Sequence, residues 1–273
     1  MKLLAINDLS CVGRCSLGVA LPIISAAGIE VDVLPTAVLS SQTGGFTDYT
    51  VHDMTSEMKK ITAHWTRLGL KFDAVYSGYL ASEKQVGLVR KILTDFLEPD
   101  GKFFLDPVMG DAGVLYPGFS ETYPAAMKEL ALSADYIFPN FTEACLLTGT
   151  EYGKIGAGDY DGILRNLQEI CPRSVVTGIP NGGMVGTGWI ENGVAGYVFS
   201  PELPGFFHGA GDVFSSVMTA SLLCGKSFSE SVEFSAEFTE RAVKRTAASG
   251  ADTRFGLEFE KDLKWIVKSL STL

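Results

Sequence analysis

Short apolar segments alternate with helical segments along most of this chain, and this alternation restricts the fold more than any other feature. The runs KLLAIND, DAVYSG and KFFLDPV have the length and apolar content of buried strands. Between such runs, Met54, Met58, Ile61 and Trp65 recur at spacings of four, three and four, which predicts a helix with one apolar stripe. Strands that alternate with helices predict an α/β domain whose mostly parallel sheet is covered by helices on both faces.

Local signals predict where several elements begin and end. Ser82 and Gln85 have the spacing of a capping box at the start of a helix. The segment GMVGTGWIENGVAGYVFSPEL places Asn192-Gly193 between two β-rich runs, which predicts an antiparallel edge hairpin. From Gly209 the pattern is helical almost to the end. Because no linker or repeat interrupts the 273 residues, the sequence predicts one domain, residues 1–273.

Polar residues follow the predicted strands, where ligands bind in parallel sheets. They are Asp8, Ser10, Ser77, Asp106, Asn140 and Thr177. Turns and helix caps also favour these residue types, so each one alone is explained equally well by local structure. Six of them at one edge of a sheet favour a binding site.

Composition excludes several classes of protein. The net charge of -10 and the lack of a Lys/Arg cluster argue against a nucleic-acid partner, and no apolar segment is long enough for a membrane span. The cysteines are too few and too scattered for a disulfide framework, which favours a cytoplasmic location. They are Cys11, Cys15, Cys145, Cys171 and Cys224. The three histidines lack the spacing of a structural zinc site.

The segment HGAGDVFSS carries the most specific chemistry. Gly209, Ala210 and Gly211 precede a helical run, and a glycine-rich turn at a helix N-terminus presents free N–H groups to an anion. Asp212 follows directly and is placed to take a proton from an attacking hydroxyl group in phosphoryl transfer. The alternative is that Asp212 only caps the helix. The near P-loop ASLLCGKS has Ala220 in place of the first glycine and no preceding strand.

Three further motifs fit a phosphate site. In PNFTEACLLTG, Asn140 and Glu143 have a spacing that can position a hydrated Mg²⁺, or else cap a helix. In FLDPVMGD, Asp106 and Asp111 provide two carboxylates suited to a cation. In SVVTGIPNG, Thr177 ends a strand and can hydrogen-bond a phosphate oxygen.

In this order, the motifs resemble those of the ribokinase-like superfamily of small-molecule kinases, over essentially the whole chain. The blocks NDLSCVGRCSLG, VLSSQTGGF, SGYLAS and DPVMGDAGVLY are similar to blocks of its pyridoxal and pyridoxamine kinases. The resemblance implies a ribokinase-like three-layer αβα sandwich with a mostly parallel central sheet and an antiparallel edge hairpin. It also implies ATP-dependent phosphorylation of the 5′-hydroxymethyl group of a vitamin B6 vitamer (pyridoxal, pyridoxine or pyridoxamine), feeding pyridoxal 5′-phosphate salvage.

The resemblance also implies residue roles. Asp212 matches the general base, and the anion hole matches Gly209, Ala210 and Gly211. The positions that hold the substrate ring match Ser10, Thr43 and Tyr79. The ATP-binding positions match Asp106, Asp111, Tyr116, Asn140, Thr177, Gly209 and Gly211. The metal positions match Asp106 and Glu143. Such kinases use ATP and Mg²⁺, often need a monovalent cation, commonly K⁺, and often form homodimers.

Two departures and two alternatives accompany this interpretation. Ala210 stands where the family usually has Thr or Val, and the segment SCVGRCSLG differs from better-known members. A hydroxymethylpyrimidine kinase of thiamine biosynthesis shares the fold and motifs but usually opens with a glycine-rich segment. A catalytically silent ligand-binding relative would have no physical need for Asp212, Asn140 and Glu143 together.

Overall fold

The predicted alternation of strands and helices is present in the computed structural model, which describes residues 1–155 and 160–270. The strands are β1 (Lys2–Ser10), β2 (Glu30–Leu39), β3 (Val51–Asp53), β4 (Phe72–Ser77), β5 (Leu97–Leu105), β6 (Gly110–Asp111), β7 (Val114–Leu115), β8 (Tyr136–Ile137), β9 (Val175–Asn181), β10 (Met184–Glu191) and β11 (Val194–Pro201). The helices are α1 (Leu17–Ala26), α2 (Thr55–Leu68), α3 (Glu83–Phe96), α4 (Tyr123–Ala131), α5 (Phe141–Thr148), α6 (Asp161–Gln168), α7 (Ala210–Leu223), α8 (Phe228–Ser249) and α9 (Leu263–Leu270).

The central sheet is mostly parallel, as predicted. Its six strands have the order β3-β2-β1-β4-β5-β8, and only β3 pairs antiparallel with its neighbour β2. Beyond β8, two parallel bridges, Ile137 to Ser174 and Asn140 to Thr177, connect this sheet to the second sheet. The order of that sheet is β11-β10-β9, and its pairs are antiparallel.

The edge hairpin is confirmed, and so is its turn. Glu191 pairs with Val194 across the two-residue turn of Asn192 and Gly193. Both turn residues have positive φ, 52° and 79°, as a type I′ turn requires. This turn type matches the right-handed twist of the strands, which explains why the Asn-Gly pair predicts the hairpin so well.

Two apolar cores cover the two faces of the sheet. Along β1, Leu4 and Ile6 point into a core shared with α2 to α6, whereas Leu3 and Ala5 point into a core shared with α1, α7, α8 and α9. Successive residues of a strand face opposite sides, so one strand contributes to both cores. The result is the predicted three-layer αβα sandwich.

Two further observations concern the described ranges. No helix in residues 1–155 and 160–270 is both long enough and apolar enough to cross a bilayer. All five cysteines carry free thiols.

Candidate active site

The glycine-rich turn before α7 is held open by close backbone packing. Gly209 is the N-cap of α7, with φ of 76°. A Cβ at Gly209 would lie 2.2 Å from the carbonyl oxygen of Arg14, and one at Gly256 would lie 2.4 Å from the same oxygen. By contrast, apart from its chain neighbours and the backbone of its own helix, no atom lies within 4 Å of a Cβ placed on Gly211. Gly209 therefore allows close packing behind the turn, while Gly211 leaves room in front of it.

The first N–H groups of α7 are available to a ligand. The N–H of Val213 donates to the carbonyl of Gly209 at 3.0 Å, and this bond starts the helical pattern. The N–H groups of Ala210, Gly211 and Asp212 precede it and have no intrahelical acceptor. A helix N-terminus with free donors favours an anion, so the turn has the geometry of an anion hole.

Asp212 is not the helix cap. It is the third residue of α7, whose N-cap is Gly209, so the capping interpretation is wrong. Burial raises the pKa of its carboxyl from 3.8 to about 8, and the charges of Asp106 and Asp8 act in the same direction. The backbone N–H of Ser16 and the amide of Asn7 oppose this effect. A carboxylate with this pKa is basic enough to take a proton near neutral pH.

Asp106 follows β5 and lies under the same turn. It is 6% exposed, and its Oδ2 accepts a hydrogen bond of 2.8 Å from the Ser215 hydroxyl. Burial raises the pKa of Asp106 to about 7, while the hydrogen bond from Ser215 and the neighbouring Tyr76 hydroxyl group oppose this. Asp106 is therefore a buried acid and Asp212 a partly buried one, and the pKa of each lies near neutral pH.

Asn140 and Glu143 form a complete capping box at the start of α5. Asn140 Oδ1 accepts from the N–H of Glu143 at 2.9 Å, and Glu143 Oε2 accepts from the N–H of Asn140 at 2.9 Å. Glu143 Oε1 also accepts from the N–H of Met109 at 3.0 Å, which ties the segment after β5 to this helix. Burial, followed by the charge of Asp106, raises the pKa of Glu143 well above 4.5. A carboxylate oxygen has a second lone pair, so the capping role leaves room for a metal-bound water.

The other residues predicted to contact ATP surround these acids. The Tyr116 phenol has its pKa raised by burial and then by Glu143, Asp111 and Asp106, so it lies among them. Thr177 forms a parallel bridge with Asn140, and its N–H donates to the carbonyl of Pro139 at 3.0 Å. Thr177 lies inside β9, which continues to Asn181, so the prediction that it ends a strand is wrong, but its bridge to Asn140 still places it beside this group.

Ser10 and Tyr79 lie on the side of the site formed by β1 and β4. The Ser10 hydroxyl donates to Oδ2 of Asp8 at 3.2 Å, and the backbone N–H of Tyr79 donates to Oδ1 of Asn7 at 2.8 Å. Burial and the charge of Asp8 raise the pKa of the Tyr79 phenol to about 12. Since the charge of Asp8 also acts on Asp212, this side adjoins the base.

Thr43 is the predicted site residue with the weakest connection to the rest. It is exposed in the loop between β2 and β3. A Cβ on the next residue, Gly44, would lie 2.3 Å from the ring of His208, which immediately precedes the anion hole. In the same loop, Phe46 packs edge-on against Phe255 with ring centroids 5.1 Å apart. The loop therefore contacts the anion hole through the neighbours of Thr43.

Sequence reasoning missed two buried amides near the site. Asn7 is 0% exposed and its amide acts on the Asp212 carboxyl, whereas Gln42 is 6% exposed and its side-chain nitrogen has no hydrogen-bond partner within residues 1–155 and 160–270. Asn7 gave no signal because it lies within the apolar strand β1. Buried donors without a partner favour a ligand that supplies acceptors.

The acids of the site suit Mg²⁺ held together with phosphates. No Lys, Arg or His contributes to the pKa of the four acids Asp8, Asp106, Glu143 and Asp212. In the described part of the chain, no three His, Cys, Asp or Glu residues are grouped to hold a metal alone. Mg²⁺ is typically bound by one or two carboxylates together with water and substrate phosphates, and this donor set fits that pattern.

An αβα sheet with an anion hole and a perturbed acid at its carboxyl edge defines a small-molecule kinase of the ribokinase-like type. The comparisons agree with this class. The profile of the phosphomethylpyrimidine kinase family matches residues 23–255. The chain belongs to this family, within its pyridoxal/pyridoxamine kinases, and is a phosphotransferase.

Three relatives illustrate the similarity. Pyridoxal kinase from Lactobacillus plantarum is 34% identical, with a TM-score of 0.90, over 98% of this chain and 96% of that one. A Bacteroides thetaiotaomicron protein, assigned by name to the phosphomethylpyrimidine kinases and crystallised with pyridoxal, is 36% identical, with a TM-score of 0.90, over 97% and 95%. Pyridoxal kinase PdxY of Aliivibrio fischeri is 32% identical over 66% of this chain and 65% of that enzyme.

Proposed function

We propose that this chain transfers the γ-phosphoryl group of ATP to the 5′-hydroxymethyl group of a vitamin B6 vitamer and so feeds pyridoxal 5′-phosphate salvage. The observation that carries the proposal is Asp212, an acid with a pKa of about 8 beside an open anion hole. The similarity to a protein crystallised with pyridoxal and to a pyridoxal kinase supports the choice of substrate.

In this mechanism the chain positions the reactants and moves one proton. Asp212 accepts the proton of the 5′-hydroxyl group as its oxygen attacks. The N–H groups of Ala210 and Gly211, with the space beside Gly211, receive the negative charge of the transferred phosphoryl group. Ala210 keeps the backbone donors that Thr or Val would provide at this position, so the anion hole functions without a larger side chain.

Asp106 and Glu143 would hold Mg²⁺, with Asn140 positioning Glu143. The ion supplies charge neutralisation to the phosphates when it is bound. Asp111, Tyr116 and Thr177 lie around these acids and would contact the phosphate chain. The proposal includes use of K⁺ and a homodimer as expectations from the family. It also includes a cytoplasmic location as an expectation from the scattered cysteines.

Ser10, Thr43 and Tyr79 would hold the pyridine ring by its polar edge. Uncharged hydroxyl donors and a half-buried aromatic side chain fit the polar edge and the face of a flat ring. A site that hydrogen-bonds one substrate rejects analogues that leave its buried groups unpaired.

Hydroxymethylpyrimidine kinase is the second candidate, and the name of the matching family profile favours it. A coupled kinase assay with the three B6 vitamers, aminohydroxymethylpyrimidine and ribose separates the candidates. We expect the highest kcat/KM with a vitamer, and Thr43→Val should raise KM for the vitamer more than KM for ATP. A higher kcat/KM for the pyrimidine than for any vitamer would favour the hydroxymethylpyrimidine kinase function. No turnover of any compound would favour a silent binding protein.

A further inference from the structure

One buried hydroxyl group joins three parts of the site. Ser215 lies one turn after Gly211 in α7 and is 1% exposed. Its Oγ lies 2.8 Å from Oδ2 of Asp106, 2.8 Å from the carbonyl oxygen of Gly211 and 3.0 Å from the hydroxyl group of Tyr76. These partners belong to the segment after β5, to the anion hole and to β4.

The single proton of this hydroxyl group goes to Asp106. Ser215 has three nearby acceptors, because the carbonyl oxygen of Asp212 also lies 3.4 Å from its Oγ, but only one donor hydrogen. When that hydrogen goes to one of them, Ser215 can still accept from Tyr76. The carbonyl of Gly211 already has a donor in an α-helix, the N–H four residues later. The carboxylate of Asp106 is the stronger acceptor, because hydrogen bonds to charged groups are roughly twice as strong as neutral ones.

Burial makes this arrangement stiff. Tyr76 is 0% exposed and Asp106 is 6% exposed, so water cannot easily replace a lost partner. The surrounding core is apolar, with Val213, Val217 and Met218 on the same helix. Three polar groups are thus retained where apolar side chains would pack without a desolvation cost, which indicates a role other than stability.

We propose that Ser215 is a positioning residue that fixes the Asp106 carboxylate relative to the anion hole, with Tyr76 orienting its hydroxyl group. The proposal rests on the proposed function, in which Asp106 faces Mg²⁺ and the anion hole faces the transferred group. Because Ser215 belongs to the first turns of α7, its side chain sets the distance between the Asp106 carboxylate and the anion hole. Misplacing reacting groups by about 1 Å can cost about 100-fold in rate, so this alignment matters for turnover.

The test compares Ser215→Ala with Ser221→Ala as its matched control. Ser221 lies in the same helix, is 0% exposed and has a hydroxyl group without a partner in the described ranges. We expect Ser215→Ala to lower kcat about 10-fold or more while KM for the vitamer changes little. It should also weaken Mg²⁺-dependent binding of ADP, measured by calorimetry, whereas Ser221→Ala should match the wild type in both assays.

Unchanged kcat and unchanged ADP affinity in folded Ser215→Ala would overturn the proposal. So would an equal loss in both serine variants, since the effect would then come from removing any buried hydroxyl group from α7. Should Ser215→Ala not fold, Tyr76→Phe decides: a reduced Mg²⁺-dependent ADP affinity supports the proposal, and wild-type affinity refutes it. The calorimetry needs no turnover, so it separates this inference from failure of the vitamer assignment.

Discussion

Asp212→Asn should remove turnover and at the same time stabilise the chain. The replacement keeps the size of the side chain but cannot accept a proton, and loss of a general base typically costs about 10²–10⁴-fold in rate. The gain in stability follows from the pKa of Asp212, which burial raises from 3.8 to about 8. The folded chain is therefore more stable when the side chain at position 212 is neutral than when it is charged.

The sign and size of the stability effect follow from proton binding. Between pH 4 and pH 8 the folded chain keeps a proton that the unfolded chain has released, so stability falls as pH rises. Each pH unit is worth about 1.4 kcal/mol, which gives an upper bound of about 4 kcal/mol at pH 7. Partial exposure of Asp212 reduces this bound. Asn does not titrate, so the variant should gain roughly 2–6 °C in Tm at pH 8 and nothing at pH 4.

Thermal melting from pH 4 to pH 8, with turnover measured on the same preparations, checks this reasoning. Asp100→Asn is the control, because Asp100 is exposed and the same chemical change there should give no Tm difference that grows with pH. Equal melting temperatures of Asp212→Asn and wild type at pH 8 would refute the stability argument. Near-normal turnover in the folded variant would refute the role of Asp212 as base.

Three further predictions concern neighbouring residues. Gly209→Ala should lower both Tm and turnover, because the added Cβ meets the carbonyl of Arg14. Gly211→Ala should leave Tm unchanged and raise KM for ATP. Thermal melting and an ATP titration distinguish the two variants. Glu143→Gln should raise the Mg²⁺ concentration for half-maximal rate and recover partly at high Mg²⁺, and an unchanged Mg²⁺ titration would leave Glu143 a capping role only. Asp8→Asn should move the acidic limb of the kcat/KM profile to lower pH, because the charge of Asp8 raises the pKa of Asp212; a limb that stays or moves up contradicts this.

Sequence patterns predicted the fold well because alternation and turn chemistry are local properties. They predicted the anion hole less directly, since the letters GAGD occur twice, at 156–159 and at 209–212. The prediction of an anion hole concerns only the second, which a long apolar helical run follows. The first lies outside the described residues.

Capping signals show where local reasoning fails. Asn140 and Glu143 form a full capping box, but Ser82 makes no side-chain cap bond although Gln85 follows at the same spacing. The amide of Gln85 donates instead to the carbonyl of Thr36, 49 residues away, at 2.8 Å. The contact between Ser215 and Tyr76 spans 139 residues, so no local pattern could have indicated it. Hydrogen bonds between residues far apart in the sequence depend on the packed fold and cannot be predicted from the spacing of residues.

The backbone of Arg14 links the anion hole to the last part of the chain. Its N–H donates to the carbonyl of Phe255 at 2.9 Å, and its carbonyl oxygen packs between Gly209 and Gly256. Arg14 therefore packs behind the glycine turn and is itself held by Phe255 and Gly256, which follow that turn in the sequence. The position of the phosphate-binding turn thus depends on a segment that is synthesised long before it and on another that is synthesised after it.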